Sequence, residues 1–466
     1  MTMKRFLSLL TFTASALLIS SCGGDRTTQI PHSETTTEGV LASKPEPVAL
    51  NASPEWIQGA TLYEVNVRQY SKEGNLKVFN RSIPRLKNMG VDILWFMPVQ
   101  PIGKENRKGA LGSYYSISDY KAVNPEFGTL DDFKETVRSA HSIGMKVILD
   151  WVANHSAFDN PWAKEHPEWY TQDANGNIIP PNPDWSDVAD LNYDNDSMRQ
   201  AMKDAMKFWI EECDIDGFRC DVAGEVPLDF WESTTAELRE MKDVFMLAEW
   251  DEPKMHSCFN ASYAWGFHHQ LMEIGKGHYN LDSLRKFMIE EDEKYPEDAY
   301  KLRFTTNHDE NTWKGTEEEL FGPLTKNFQA LMYTVPGMPL LYSGQESKLD
   351  KRLEFFEKDQ IDWNRYELAD FFTKLNAIKE ENPALWGGAN GGSFEFLGED
   401  CSNGVMAFDR IKGENHVRFI MNGTDEQQDI SAFMDDTPND MDLMKGSVYS
   451  AKVIMPYEFL ILQMNE

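Results

Sequence analysis

The chain has 466 residues, more than the roughly 250–300 at which a single hydrophobic core stops growing, so a large domain with a smaller companion is expected. Hydrophobic residues make up 41% and charged ones 26%, the balance of a soluble globular protein. A formal charge of −31, with Asp and Glu outnumbering Lys and Arg 76 to 45, excludes a nucleic-acid partner, since a phosphate backbone needs clustered cations.

At the start of the chain, Lys4 and Arg5 precede an apolar run from Phe6 to Ile19, too short to span a bilayer comfortably but suited to a signal-peptide core. Ile19-Ser20-Ser21-Cys22 resembles a bacterial lipobox, in which small residues admit the peptidase and Cys22 receives the lipid; ordinary cleavage nearby is the plainer alternative. Residues 1–22 therefore read as an export signal, with the mature protein held to a membrane at its periplasmic face or at the cell surface. Residues 23–53, rich in Thr, Ser, Pro and Glu, lack the apolar content to order themselves and read as a tether. The remaining cysteines, Cys213, Cys220, Cys258 and Cys401, show neither CxxC spacing nor the density of a disulfide scaffold, so no metal or redox role is expected. The sequons at Asn51 and Asn422 are chance matches if the lipobox is real.

From Ala60, β-rich segments near 60–66, 91–97, 146–152, 216–221, 244–249, 263–268, 301–306 and 338–342 alternate with amphipathic helices. Eight such units predict a (β/α)8 TIM barrel over 54–384. Met198, Met202, Met206, Trp209 and Cys213 lie on one helical stripe capped by Asp194 or Asp196, and Phe371, Leu375 and Ile378 mark a last helix stopped by Pro383. A methionine stripe is read as core. The long stretch of about 156–195, rich in Asp, Asn, Pro and Trp, is a small excursion after the third strand. Gly-rich turns between short alternating segments over 385–466 predict a C-terminal all-β sandwich.

In a parallel barrel the active site lies at the C-terminal strand ends, and polar residues cluster there. The third strand runs on to Asn154 and His155. The fourth reads Asp216-Gly217-Phe218-Arg219-Cys220-Asp221, and alternation points Arg219 and Asp221 the same way. An arginine beside a carboxylate keeps it ionised, as a nucleophile requires. The fifth ends in Leu247-Ala248-Glu249-Trp250, an apolar and aromatic setting that raises a carboxyl pKa and suits a general acid. The seventh ends in Asn307-His308-Asp309. Any one of these could be a helix cap or a structural ion pair; four in order are hard to assign so.

At these residues the chain resembles the α-amylase family, family 13 of the glycoside hydrolases. The similarity covers nearly everything from residue 56: Gly90 to Trp95 through Pro98, Tyr115 to Tyr120 with Asn124 to Thr129, Asp150 to His155, Gly217 to Asp221, Glu249, Asn307 to Asp309, and Gly337 to Gly344. The resemblance implies a retaining α-glycosidase acting on α-glucans, with Asp221 as nucleophile, Glu249 as acid/base and Asp309 as the carboxylate that holds and distorts the sugar. Arg219 would orient Asp221, Tyr115 would stack on the sugar being cleaved, and His155 and His308 would bind its hydroxyls. No cofactor is needed for the chemistry. In many members an asparagine matching Asn154 and an aspartate matching Asp190 help hold a structural calcium, whereas members with a short excursion lack it, and both alternatives stay open. Where the family often has Lys-His after the nucleophile, this chain has Gly224-Glu225, which leaves the leaving-group side, linkage and product pattern open. No folded module is expected ahead of the barrel, which weighs against members that need one, including many branching and debranching enzymes. The alternatives are a neopullulanase, cyclomaltodextrinase, α-glucosidase or transglycosylase of the same family, and a glycan-binding lipoprotein that no longer catalyses.

Overall fold

The computed structural model describes residues 53–363, 365–434 and 440–465. Cys22, the apolar run before it, the tether up to residue 52 and Asn51 lie outside the described residues.

Ten strands build the first part of the chain: β1 (Leu62–Val65), β2 (Ile93–Phe96), β3 (Lys146–Trp151), β4 (His155–Ser156), β5 (Ala189–Asp190), β6 (Gly217–Cys220), β7 (Phe245–Ala248), β8 (Ala261–Tyr263), β9 (Tyr300–Arg303) and β10 (Met338–Tyr342). Eight close a parallel barrel in the order β1-β10-β9-β8-β7-β6-β3-β2. β4 and β5 pair antiparallel outside it, His155 opposite Asp190, and frame the excursion after β3. Each barrel strand alternates between two cores. Leu62, Ile93, Trp95, Ile148, Phe245, Leu247, Tyr263, Leu302 and Leu340 fill the interior. Tyr63, Val65, Leu94, Phe96, Val147, Leu149, Phe218, Met246 and Leu341 face the covering helices.

Two local expectations are corrected. The segment 263–268 is not the sixth strand: β8 ends at Tyr263, and Trp265–Gly275 is helical, burying Phe267, His268, Leu271 and Ile274. That spacing of three and four is helical, and the short apolar run hid it. The helix Asp196–Cys213 buries the expected stripe, but its cap is Asn195, whose side chain accepts from the Met198 amide, rather than Asp194 or Asp196.

Beyond the helix Ala369–Glu381 lie β11 (Ser393–Phe396), β12 (Val405–Lys412), β13 (Asn415–Asn422), β14 (Gln428–Asp429), β15 (Met441–Asp442), β16 (Ser447–Val448), β17 (Val453–Ile454) and β18 (Phe459–Gln463). Six form an antiparallel sheet in the order β11-β12-β13-β18-β15-β16, while β14 pairs with β17. Alternation again splits the faces. Val405, Ala407, Ile420, Leu460 and Leu462 pack with Ile430 and Ile454 from the small ribbon, whereas Met406, Phe408, Phe419, Met421 and Ile461 join the core of the barrel.

Candidate active site

The period of two that fills the barrel also loads its rim. Following Ile148 on the inner face comes Asp150, following Leu62 comes Glu64, and following Leu247 comes Glu249 one residue past the end of β7. On β6 the inward positions are Gly217 and Arg219, and Asp221 follows one residue past its end. Register places Asp150 beside Arg219 and Arg219 beside Leu247, so one guanidinium sits at the centre of the rim.

Arg219 is fully buried and holds three carboxylates: Nη1 lies 2.9 Å from Asp150 and 3.0 Å from Asp221, and Nη2 lies 2.8 Å from Glu249. Its Nε donates to the Tyr263 hydroxyl at 3.2 Å, and Trp95 lies beneath it at 5.1 Å. Asp150 also accepts from Trp95 Nε1 and the Tyr115 hydroxyl. The other oxygen of Glu249 accepts from the Val222 amide at 2.7 Å. After β9, His308 is held between Glu64 at Nδ1 and both the Tyr115 hydroxyl (2.8 Å) and Asp309 (3.3 Å) at Nε2. The tyrosine and imidazole rings stack, 5.4 Å apart and 21° from parallel. Asp309 accepts a further bond from Trp313 Nε1 at 3.0 Å. His155 lies on β4 with its Nδ1 facing the Asn154 amide at 3.2 Å.

Burial and these charges set the protonation states. Burial pushes Asp221 up to about 6 although Arg219 pulls it down, so Arg219 does not lower it as the sequence suggested; desolvation in a closed site outweighs one shared cation. The same burial, reinforced by the neighbouring Asp221 and Asp309, pushes Glu249 up to about 8 against the pull of Arg219. At neutral pH Asp221 is mostly ionised and Glu249 mostly protonated. Burial opposes charge on His308, yet Asp309 and Glu64 hold its pKa well above the ordinary histidine value, and that imidazolium in turn keeps Asp309 below the usual aspartate range despite burial. Among the described residues His155 has no carboxylate partner, and burial takes it down to about 3, leaving it neutral.

Asp221, Glu249 and Asp309 converge on one cavity of about 390 Å³ that Tyr115 and His155 also line. Arg219 and His308 stand behind the carboxylates. Trp185 and Asp187 from the excursion, Lys108 from the loop after β2, Trp313 after β9, and Phe355 and Phe356 after β10 complete the wall. Sequence reasoning missed these, and it missed Glu64 and the role of Asp150. A charged residue in the apolar runs Leu62–Val65 and Val147–Trp151 was the available signal for the last two; the loop aromatics gave none, because no periodicity marks them.

Among the described residues no group of three His, Cys, Asp or Glu side chains gathers that could hold a metal, and the Asn154 amide is turned to His155. At the Gly224-Glu225 departure, a Cβ on Gly224 would lie 2.1 Å from the indole of Trp250. The tryptophan following Glu249 thus occupies the space that a side chain at 224 would need.

The sequence profile of the alpha amylase catalytic domain matches residues 66–182 and 182–440. This chain belongs to the α-amylase family. Among the relatives of this family member, alpha-amylase MalA of Haloarcula japonica is 28% identical over 375 residues, covering 76% of this chain and 53% of the relative. Alpha-amylase 3 of Dictyoglomus thermophilum is 28% identical over 336 residues, covering 62% of this chain and 64% of the relative. The chain thus spans between half and two thirds of the length of these relatives. The fold superposes on the crystal structure of an alpha-amylase from Lactobacillus plantarum with a TM-score of 0.79 at 28% identity, covering 87% of this chain and 99% of the other. A noncanonic maltogenic alpha-amylase from Thermotoga neapolitana gives 0.78 at 30% identity, covering 87% and 98%. An alpha-1,4-glucan:maltose-1-phosphate maltosyltransferase of Mycolicibacterium smegmatis is 28% identical over 378 residues, covering 72% of this chain and 52% of the relative.

Proposed function

We propose that this α-amylase family member hydrolyses α-1,4-glucosidic bonds of starch-like glucans or malto-oligosaccharides with retention of anomeric configuration. The observation that carries the reading is the pair of carboxyls with opposite charge states on one guanidinium. Asp221 and Glu249 are held side by side by the two terminal nitrogens of Arg219, which supports the close pairing of nucleophile and acid that a retaining enzyme uses.

In this account Glu249 gives its proton to the glycosidic oxygen while Asp221 attacks the anomeric carbon, and the C–O bond to the leaving sugar breaks. Water, deprotonated by the same Glu249, then releases the glycosyl group from Asp221. Asp309 binds hydroxyls of the sugar being cleaved and Tyr115 offers its ring to that sugar's face, while the charged His308, both of its nitrogens taken by Glu64, Tyr115 and Asp309, fixes the two from behind rather than binding hydroxyls itself. Neutral His155 serves as hydrogen-bond donor or acceptor without adding charge. Asp150 and Tyr263 have no reacting atom to touch; they hold Arg219, and so the two carboxyls, in place.

The test is a timed digestion of soluble starch, pullulan and maltoheptaose by protein lacking residues 1–22, with products resolved by size and anomer. α-Configured malto-oligosaccharides from starch support the reading. Panose from pullulan moves it to a neopullulanase, glucose alone to an α-glucosidase, and no product with binding retained to a glycan-binding protein. The same proposal places the mature chain on a bacterial membrane through a lipid on Cys22, supported by the small residues before it.

A further inference from the structure

Building on the hydrolytic reading, we infer that the end of the cleft opposite Glu249 is walled off, so that the enzyme takes the non-reducing ends of its glucan and releases short products of one predominant length. Direction comes from topology. Glu249 protonates the departing sugar and sits after β7, so the leaving chain lies on the β7 side. The retained sugar extends across the barrel toward β10, β1 and β2.

That side is occupied by loops laced into a continuous rim. Two residues after β1 do the fastening. Buried Arg68 donates to the Gly112 and Leu111 carbonyls of the loop after β2 and to the Phe355 carbonyl of the loop after β10. Gln69 donates to the Glu354 and Glu357 carbonyls and accepts from the Asp359 amide. The two loops also bond each other: the Leu111 amide to the Phe356 carbonyl at 3.0 Å, and the Ala110 amide to the Glu357 carboxylate at 2.7 Å. They approach so closely that a Cβ on Gly109, at φ +64°, would lie 2.4 Å from the Cβ of Phe356. On the far side Lys108 reaches the excursion, 2.9 Å from the Asp187 carboxylate and 2.7 Å from the Asp184 carbonyl.

Inside this rim Phe355 lies nearly parallel to Tyr115, 6.4 Å apart, and packs against Phe356 and Trp313 at 5.0 and 5.4 Å. These rings face the cavity of about 390 Å³, near the small end of ligand pockets, about 300–1,000 Å³. It has room for a chain end, with aromatic side chains and the half-buried Lys108–Asp187 ion pair where a longer chain would continue. Rigidity matters because a loop free to swing would admit that chain; bonds from β1, from the neighbouring loop and from the excursion leave this one fixed.

The experiment follows maltoheptaose labelled at its reducing end during the first turnovers, beside a cyclic glucan that has no ends, for the wild-type chain and for the double variant Lys108→Ala, Phe356→Ala. Expected from the wild type are an unlabelled short product of one main length, the label left on the longer remnant, and no cleavage of the ring. In the double variant the ratio of longer to shortest unlabelled products rises by about tenfold, the discrimination a steric contact in a pocket supplies. Unlabelled products of every length from the wild type, with the ring cut, overturn the wall and leave hydrolysis standing; an inactive double variant leaves this wild-type pattern to decide. No product from any glucan removes the hydrolytic reading, and the wall with it.

Discussion

At the residue scale, Asp221 and Glu249 share Arg219 while one is ionised and the other protonated. Replacing the nucleophile by Asp221→Asn removes the attacking oxygen with little change in volume, so kcat on maltoheptaose falls by more than about 10⁴-fold, as when other covalent catalysts lose their nucleophile, while the far-ultraviolet circular dichroism is unchanged. The pH profile follows from the two carboxyls. Activity needs Asp221 ionised, above about 6, and Glu249 protonated, below about 8. A plot of kcat/KM against pH is therefore a bell with limbs near those values, and Glu249→Gln erases the alkaline limb. Stability carries the same signature with a definite sign. Burial raises Glu249 above its unfolded value, so between the usual glutamate range and about 8 the folded chain holds a proton the unfolded chain has released. Stability is lost as pH rises through that window. Glu249→Gln has no charge to bury, so it melts higher than the wild type at pH 8, and the gain shrinks at pH 5. A thermal-melt comparison at the two pH values in which the gap stays constant would contradict this.

At the scale of elements, strand alternation decided what could be read from the chain. Asp221 follows Arg219 by two at the end of β6, so their convergence was legible in the sequence, as were the strand-end positions of Glu249 and Asp309. The second contact of Arg219, to Glu249, was not, because it depends on register between β6 and β7. The same holds for Glu64, which meets His308 only because the barrel closes. Loop residues such as Trp185, Trp313 and Phe355 carry no periodic signal, so their place in the wall needed the fold. The sixth strand was misplaced because a short apolar run followed by Trp265 reads equally as strand or helix. Packing of Gly224 against Trp250 supplies an element-scale prediction: Gly224→Ala drives its Cβ into the indole and displaces the tryptophan beside the acid. KM for maltoheptaose rises more than KM for maltotriose, since the longer substrate reaches further into the leaving-group side, and equal changes on both substrates would refute that role.

For the whole molecule, the barrel and the C-terminal sheet share one apolar core, and Arg410 stitches the seam. Buried on β12, it donates to the carbonyls of Ser393, Trp386 and Thr334, the last ending a barrel helix. Arg410→Ala leaves the buried Thr334 carbonyl and two part-buried ones without this donor and lowers unfolding stability by about 2–4 kcal/mol, read as a lower urea midpoint in a single transition. Two separate transitions would show that the parts fold independently. The proposed lipid anchor belongs to the same scale and predicts that Cys22→Ser moves the protein from the membrane fraction to the soluble one; no change in partition would remove the lipid.

The central claim, a covalent glycosyl ester on Asp221, is tested most directly by treating the enzyme with a slow fluorinated α-glucosyl fluoride and mapping the labelled peptide by mass spectrometry. The account predicts one added glycosyl mass on the peptide that contains Asp221 and none in Asp221→Asn. A glycosyl group on another residue, or rapid turnover of starch with β-configured first products and no trapped ester, would contradict it.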